Sequence, residues 1–195
     1  MSRFWSDIVN QLTPYTPGEQ PQINNLIKLN TNENPYGPSP KVIDAITRAT
    51  NDDLRKYPDP NAQTLKNSIA QHFGVSDSMV FIGNSSDEVL AHVFRGLLKQ
   101  DKALLFPDIT YSFYPVYCKL FEIEYKQVPL RDDFSLNIDD YQGANGGIIF
   151  ANPNAPTGIA LSIEQIEVLL QRNTCWGVRV SKDNATVSTL IVVNV

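Results

Sequence analysis

Three short stretches of this 195-residue chain carry side chains whose types and spacing could do chemistry: "GNSSDE" (83–88), "PDITYS" (107–112) and "NPNAPTG" (152–158). In the first, Ser85 followed by Glu88 has capping-box spacing, which predicts a helix from about Ser86. Unpaired N–H groups and the positive end of a helix dipole converge at such a start and suit a phosphate. A well-capped helix without a ligand is the plain alternative. Tyr111 stands at the tip of the second stretch, where its ring could stack on a planar ligand or pack against the next helix. Asn154 in the third has an amide able to donate to a ring oxygen, or to close an Asx turn.

The elements that must position these loops follow from periodicity. The first 40 residues form an arm: "FWSDIVNQL" reads as a short amphipathic helix, and the prolines of "TPYTPGEQPQ" keep the next stretch extended. A helix is expected from Pro40 with Val42, Ile43, Ile46 and Ala49 inward. A second follows "YPDPN", with Leu65, Ile69 and Phe73 on one side and Gly74 as its stop. "MVFIG" (79–83) reads as a buried strand, then a helix with the stripe Val89, Leu90, Val93, Phe94, Leu97 and Leu98. "ALLF" (103–106), "EIEYKQVPL" and "GGIIFANP" read as strands. "YSFYPVYCKLF", with Pro115 in its first turn, and "SIEQIEVLLQR" read as helices. Strands alternating with helices predict an α/β fold, a mainly parallel sheet with helices on both faces. In such sheets the ligand lies beyond the carboxyl ends of the strands, and the three loops belong there.

Composition narrows the function classes. With 42% hydrophobic residues and a mean hydropathy of −0.22, the chain can bury an ordinary core. A net charge of −5 without a basic stripe argues against nucleic acid. No apolar run approaches the roughly 20 residues needed to span a bilayer, and "MSRFWSDIVNQL" is not a secretory signal. Cys118 and Cys175 form no CxxC and read as reduced thiols of a cytoplasmic protein. His72 and His92 fall on separate helices, so no metal site is expected.

Five ordered motifs carry a resemblance: "LNTNENPYGPSP", "YPDP", "GNSSDEVL", "TYSFY" and "NPNAPTG", joined by "QLTPYTPG" near the start. Together they resemble the histidinol-phosphate aminotransferases, fold-type I enzymes that use pyridoxal 5′-phosphate (PLP), over about residues 8 to 173. The resemblance implies that the N–H groups of Ser86 and Asp87 hold the PLP phosphate and that Tyr111 stacks on the pyridine ring. It implies that Tyr57 reaches the phosphate in a neighbouring subunit, hence a homodimer, and that Tyr15, Asn32, Glu33 and Asn34 close over the substrate. The implied reaction moves an amino group between histidinol phosphate or imidazole-acetol phosphate and glutamate or 2-oxoglutarate. A threonine-phosphate decarboxylase, an aromatic aminotransferase and a non-catalytic remnant that partners an intact subunit are the alternatives. One departure is Ala155, where the family often has the Asn that bonds the coenzyme's phenolic oxygen. That role then falls to Asn154 or to another group.

The resemblance also implies a lysine that carries the coenzyme and an acid that keeps its ring nitrogen protonated. In the family the acid lies in an Asp-Glu-Ala-Tyr strand and the lysine in a later Ser-Lys motif. Residues 174–195 read "TCWGVRVSKDNATVSTLIVVNV" instead, and Lys182 in "VSKD" reads as a surface lysine. The expected organisation is an arm (1–40), a truncated PLP-binding large domain (41–174) and an atypical tail (175–195). No catalytic residue is assigned, and this chain alone is expected not to turn over.

Overall fold

A buried strand, Leu104–Pro107 (β1), organises the molecule. The computed structural model describes residues 3–13, 19, 21, 23–24, 26–29, 34–173, 177–181 and 190–194. β1 pairs in parallel with Tyr125–Val128 (β2) on one side and with Gly147–Ile148 (β3) on the other, giving the order β2-β1-β3. Successive residues of a strand face opposite ways. Accordingly Leu104 and Phe106 join one core with Ile149, while Leu105 joins another with Ile148 and Phe150.

Helices cover both faces. Ser85–Gly96 (α4) and Tyr114–Phe121 (α5) fill the first core. The expected stripe is the one buried: Leu90, Val93, Phe94 and Leu98 are buried, with Val89 and Leu97 packed against them. Pro115 lies in the first turn of α5, where its missing N–H is harmless. Ile163–Arg172 (α6) and a 3₁₀ turn, Ile138–Tyr141, cover the opposite face. The start of α6 is a complete capping box: the Ser162 hydroxyl accepts from Gln165 N–H, and the Gln165 side chain accepts from Ser162 N–H. Its end is tied to β3 through buried amides, with Asn145 Nδ2 donating to Asn173 Oδ1 at 2.9 Å. Gly177–Ser181 (β4) and Leu190–Asn194 (β5) pair with each other antiparallel.

The chain divides into two units, Pro17–Ile82 and Met1–Thr16 with Gly83–Val195. A short helix, Asp7–Gln11 (α1), starts the second of these. The other unit holds Pro40–Ala49 (α2), Gln63–Phe73 (α3) and two 3₁₀ turns, Asp52–Arg55 and Asp77–Met79. The "YPDPN" stretch starts α3 through Asp59, whose carboxylate accepts the N–H groups of Asn61 and Gln63 at 3.0 and 2.7 Å. These bonds hold the Asp59 carboxyl below its usual range. Gly74 closes α3 in the left-handed conformation, φ +65°.

Two sequence expectations are corrected in this unit. Val42, Ile43, Ile46 and Ala49 are exposed rather than inward, and Leu65 and Phe73 are about half exposed. The apolar stripe of α2 is real, but among the described residues of its own unit only Ala70 and Val80 are buried hydrophobics. "MVFIG" is not a strand either. Met79 ends a 3₁₀ turn, residues 80–83 belong to no strand among the described residues, and Phe81 is exposed. β-propensity favours an extended backbone, but a strand exists only through a neighbour's ladder.

Gly146, just before β3, packs against backbone. A Cβ there would sit 2.1 Å from the Lys102 carbonyl oxygen. Gly146→Ala is therefore expected to lower stability by about 2 kcal/mol or more. Gly96→Ala, at the end of α4 with open space around it, should raise stability by about 0.5–1 kcal/mol. Urea unfolding of both variants checks the pair, and equal midpoints would contradict it.

Candidate functional site

The loop after β1 (108–113) lies between the other two loops and bonds to both. On one side Tyr111 donates its hydroxyl to the Asp87 carboxylate at 2.9 Å. On the other, Thr110 Oγ1 donates to Asn154 Oδ1 at 2.7 Å, and Asn154 Nδ2 donates to the Ile109 carbonyl at 2.8 Å. Asp108 anchors the loop base: its carboxylate accepts the N–H groups of Ile109 and Leu130 at 2.9 and 3.0 Å.

The start of α4 differs from a capping box built on Ser85. The N-cap is Asn84, Ser85 is the first residue of the helix yet has φ +73°, and no side chain caps from the N-cap position. Glu88 supplies the reciprocal half alone, its carboxylate accepting from Asn84 N–H. Positive φ is uncommon for serine and marks local strain. Among the described residues, no protein acceptor meets the N–H groups of Ser86 and Asp87. Those donors, with the helix dipole behind them, form a place for an anion, worth typically about 0.3–1 kcal/mol per charge from the dipole alone. The Asp87 and Glu88 carboxylates in the same turn oppose an anion, and each is already engaged by a donor.

Two residues missed in the sequence hold this arrangement. Thr110 makes the bond to Asn154, and Tyr117, buried on α5, donates its hydroxyl to the Asp87 carbonyl at 2.9 Å. Nothing in the spacing of "TYSFYPVY" names those partners, because each bond spans 24 residues or more. Tyr111 also packs edge-on against Tyr114 at 5.6 Å and alongside Phe113 at 6.1 Å. Its ring thus extends an aromatic layer that continues through Tyr114 to Phe94 and Phe106, each at 5.7 Å.

Of the residues singled out in the sequence, Asp87, its neighbour Ser86, Tyr111 and Asn154 come together. Asn154 is 5% exposed, so it is set into the structure and not on a free tip. Tyr57 and Asn34 belong to the other unit. Tyr57 is fully exposed, and Asn34 Oδ1 accepts from Tyr36 N–H at 2.9 Å. Tyr15, Asn32, Glu33, Cys175 and Lys182 lie outside the described residues. An anion held at α4 with a flat ring beside Tyr111 is what the donor set and the aromatic edge can bind together.

Residues 24–185 match the family model for aminotransferase class I and II. The chain belongs to that family. It is 61% identical over 173 residues to histidinol-phosphate aminotransferase 1 of Hydrogenovibrio crunogenus, covering 89% of this chain and 49% of that protein. Identity to the histidinol-phosphate aminotransferase of Pseudomonas putida is 58%, over 89% of this chain and 50% of that one. The crystal structure of the Sinorhizobium meliloti histidinol-phosphate aminotransferase in complex with pyridoxal-5′-phosphate is similar with a TM-score of 0.66 and 26% identity. That match covers 73% of this chain and 40% of the other. The aminotransferase match thus spans about half the length of its curated relatives. Among the described residues, no helix is long and apolar enough to cross a membrane.

Burial raises the pKa of several groups around this site. The Tyr117 hydroxyl is pushed up to about 12 by desolvation and by the nearby Asp87 charge. The Cys118 thiol is pushed up to about 12 by desolvation, and the Tyr114 hydroxyl is raised by the same cause. Each folded value exceeds the unfolded one, ordinarily 9.0 for the thiol and 10.0 for the phenols. Their contributions are complete below those values and are lost as pH rises through the folded ones. Stability should therefore fall progressively from about pH 9 to pH 12, and Tyr117→Phe should fall less steeply over that range. Urea midpoints against pH test this; a flat profile to about pH 12 would refute it.

Proposed function

We propose that this chain supplies the coenzyme-phosphate and ring-stacking half of a PLP-dependent histidinol-phosphate aminotransferase of histidine biosynthesis. The observation that carries the reading is the meeting of the α4 start, Tyr111 and Asn154 through hydrogen bonds. The identity to enzymes of that name supports the choice of substrate. In this reading the N–H groups of Ser86 and Asp87 receive the phosphate, Tyr111 lies against the pyridine ring, and the second N–H of Asn154 Nδ2 faces the ring oxygen. PLP supplies the electron sink for amino transfer when bound. The residues of this chain bind and orient it, and the Tyr117 hydroxyl holds the first turn of α4 in place.

The same proposal assigns Tyr15, Asn32, Glu33 and Asn34 to the substrate, histidinol phosphate, with glutamate and 2-oxoglutarate as the exchanging pair. It assigns Tyr57, whose ring is fully exposed, to the coenzyme phosphate of a second copy in a homodimer. A cytoplasmic location accords with Cys118 being a free, buried thiol.

Calorimetric titration of the 195-residue chain with PLP is expected to show one saturable site. Asp87→Pro, which removes one N–H donor in the first turn of α4 together with the carboxylate that accepts from Tyr111, should weaken it by about tenfold. Transamination of histidinol phosphate by this chain alone should be undetectable. Amino transfer by the chain alone would overturn its assignment as a binding half, and absence of saturable PLP binding would sink the reading.

A further inference from the structure

We propose that Thr110 is a positioning residue for the coenzyme ring, acting through the Asn154 amide; the proposal rests on the aminotransferase reading above. The loop from Asn154 to Ile159 is closed on itself. Asn154 N–H donates to the Ile159 carbonyl at 2.9 Å, and the Asn154 carbonyl accepts the Gly158 N–H at 2.7 Å and the Thr157 hydroxyl at 3.3 Å. Such a unit is rigid within itself, yet its own bonds do not set its place relative to Tyr111. Thr110 and Ile109 do that, one bonding the amide oxygen and the other the amide nitrogen.

The two bonds are chemically complementary. A hydroxyl proton meets the oxygen, and a carbonyl meets the N–H₂, so a half-turn of the amide would break both. The remaining N–H of Asn154 Nδ2 keeps one direction for that reason. Thr110 also directly precedes Tyr111 in the chain, so the same hydroxyl fixes the amide and the backbone from which the stacking ring departs. Removing the hydroxyl leaves a buried acceptor unpaired and leaves the amide held by the Ile109 carbonyl alone.

Calorimetry on the 195-residue chain tests this with two probes, PLP and inorganic phosphate. Thr110→Val keeps the shape and removes the hydroxyl; Thr110→Ser returns the hydroxyl and removes the methyl. We expect T110V to weaken PLP about tenfold, inorganic phosphate to change less than about twofold, and T110S to recover PLP affinity to within about twofold. A purely packing role would give the reverse order, with valine tolerated and serine not. Should T110V fail to fold, Thr110→Cys, close in size and a poor donor, is expected to show the same loss. PLP affinity within about twofold of the unmodified chain in T110V, or in T110C in its place, overturns the role of Thr110 alone, as does a T110S no better than T110V. Absence of PLP binding by the unmodified chain overturns the aminotransferase reading and Thr110's role with it.

Discussion

The constraint on which this structure depends is that β1 is buried on both faces and both edges at once. Parallel pairing to β2 and β3 satisfies its backbone, and its side chains alternate between two cores. A strand so enclosed has no freedom of register, because a slip of one residue would exchange Leu105 with Phe106 across the sheet. The loop that leaves its carboxyl end therefore starts from a fixed point, and Asp108 fastens that start to the chain after β2. Everything offered to a ligand is referred to this origin.

From there the site is held together by hydroxyl groups. Tyr111 and Tyr117 both bond Asp87, one at its carboxylate and one at its carbonyl, while Thr110 reaches the loop beyond β3. Aromatic packing explains why these hydroxyls are in reach. Tyr117 lies 5.0 Å from Phe94 on α4, and Tyr114 lies between Phe94 and Phe106. Burial of these rings docks α5 on α4, and the polar atoms at their rims then find partners in the first turn of the helix.

How much of this is legible in the sequence depends on where the determining contacts lie along the chain. The α4 stripe and the Gly74 stop are local patterns, and both appear as expected. The parallel sheet is legible because β1, β2 and β3 are separated by chain long enough to cross over. "MVFIG" and the face of α2 mislead because their fate depends on a neighbour, which a local pattern does not contain. At the start of α4 the Ser85 spacing points to the right helix but to the wrong cap, since the chain enters at positive φ and leaves the box half made. Tyr117 is invisible as a site residue, because an aromatic on a core stripe reads only as filler.

Cys118 lies 1% exposed in the same layer as Tyr117, between α5 and the sheet. An alkylating reagent reaches it only when that layer parts, and its high pKa keeps it a sluggish thiol even then. Peptide mapping of modification at this one sulfur would thus clock the breathing of the tyrosine layer beneath the binding loops, with no probe having to be engineered into the chain.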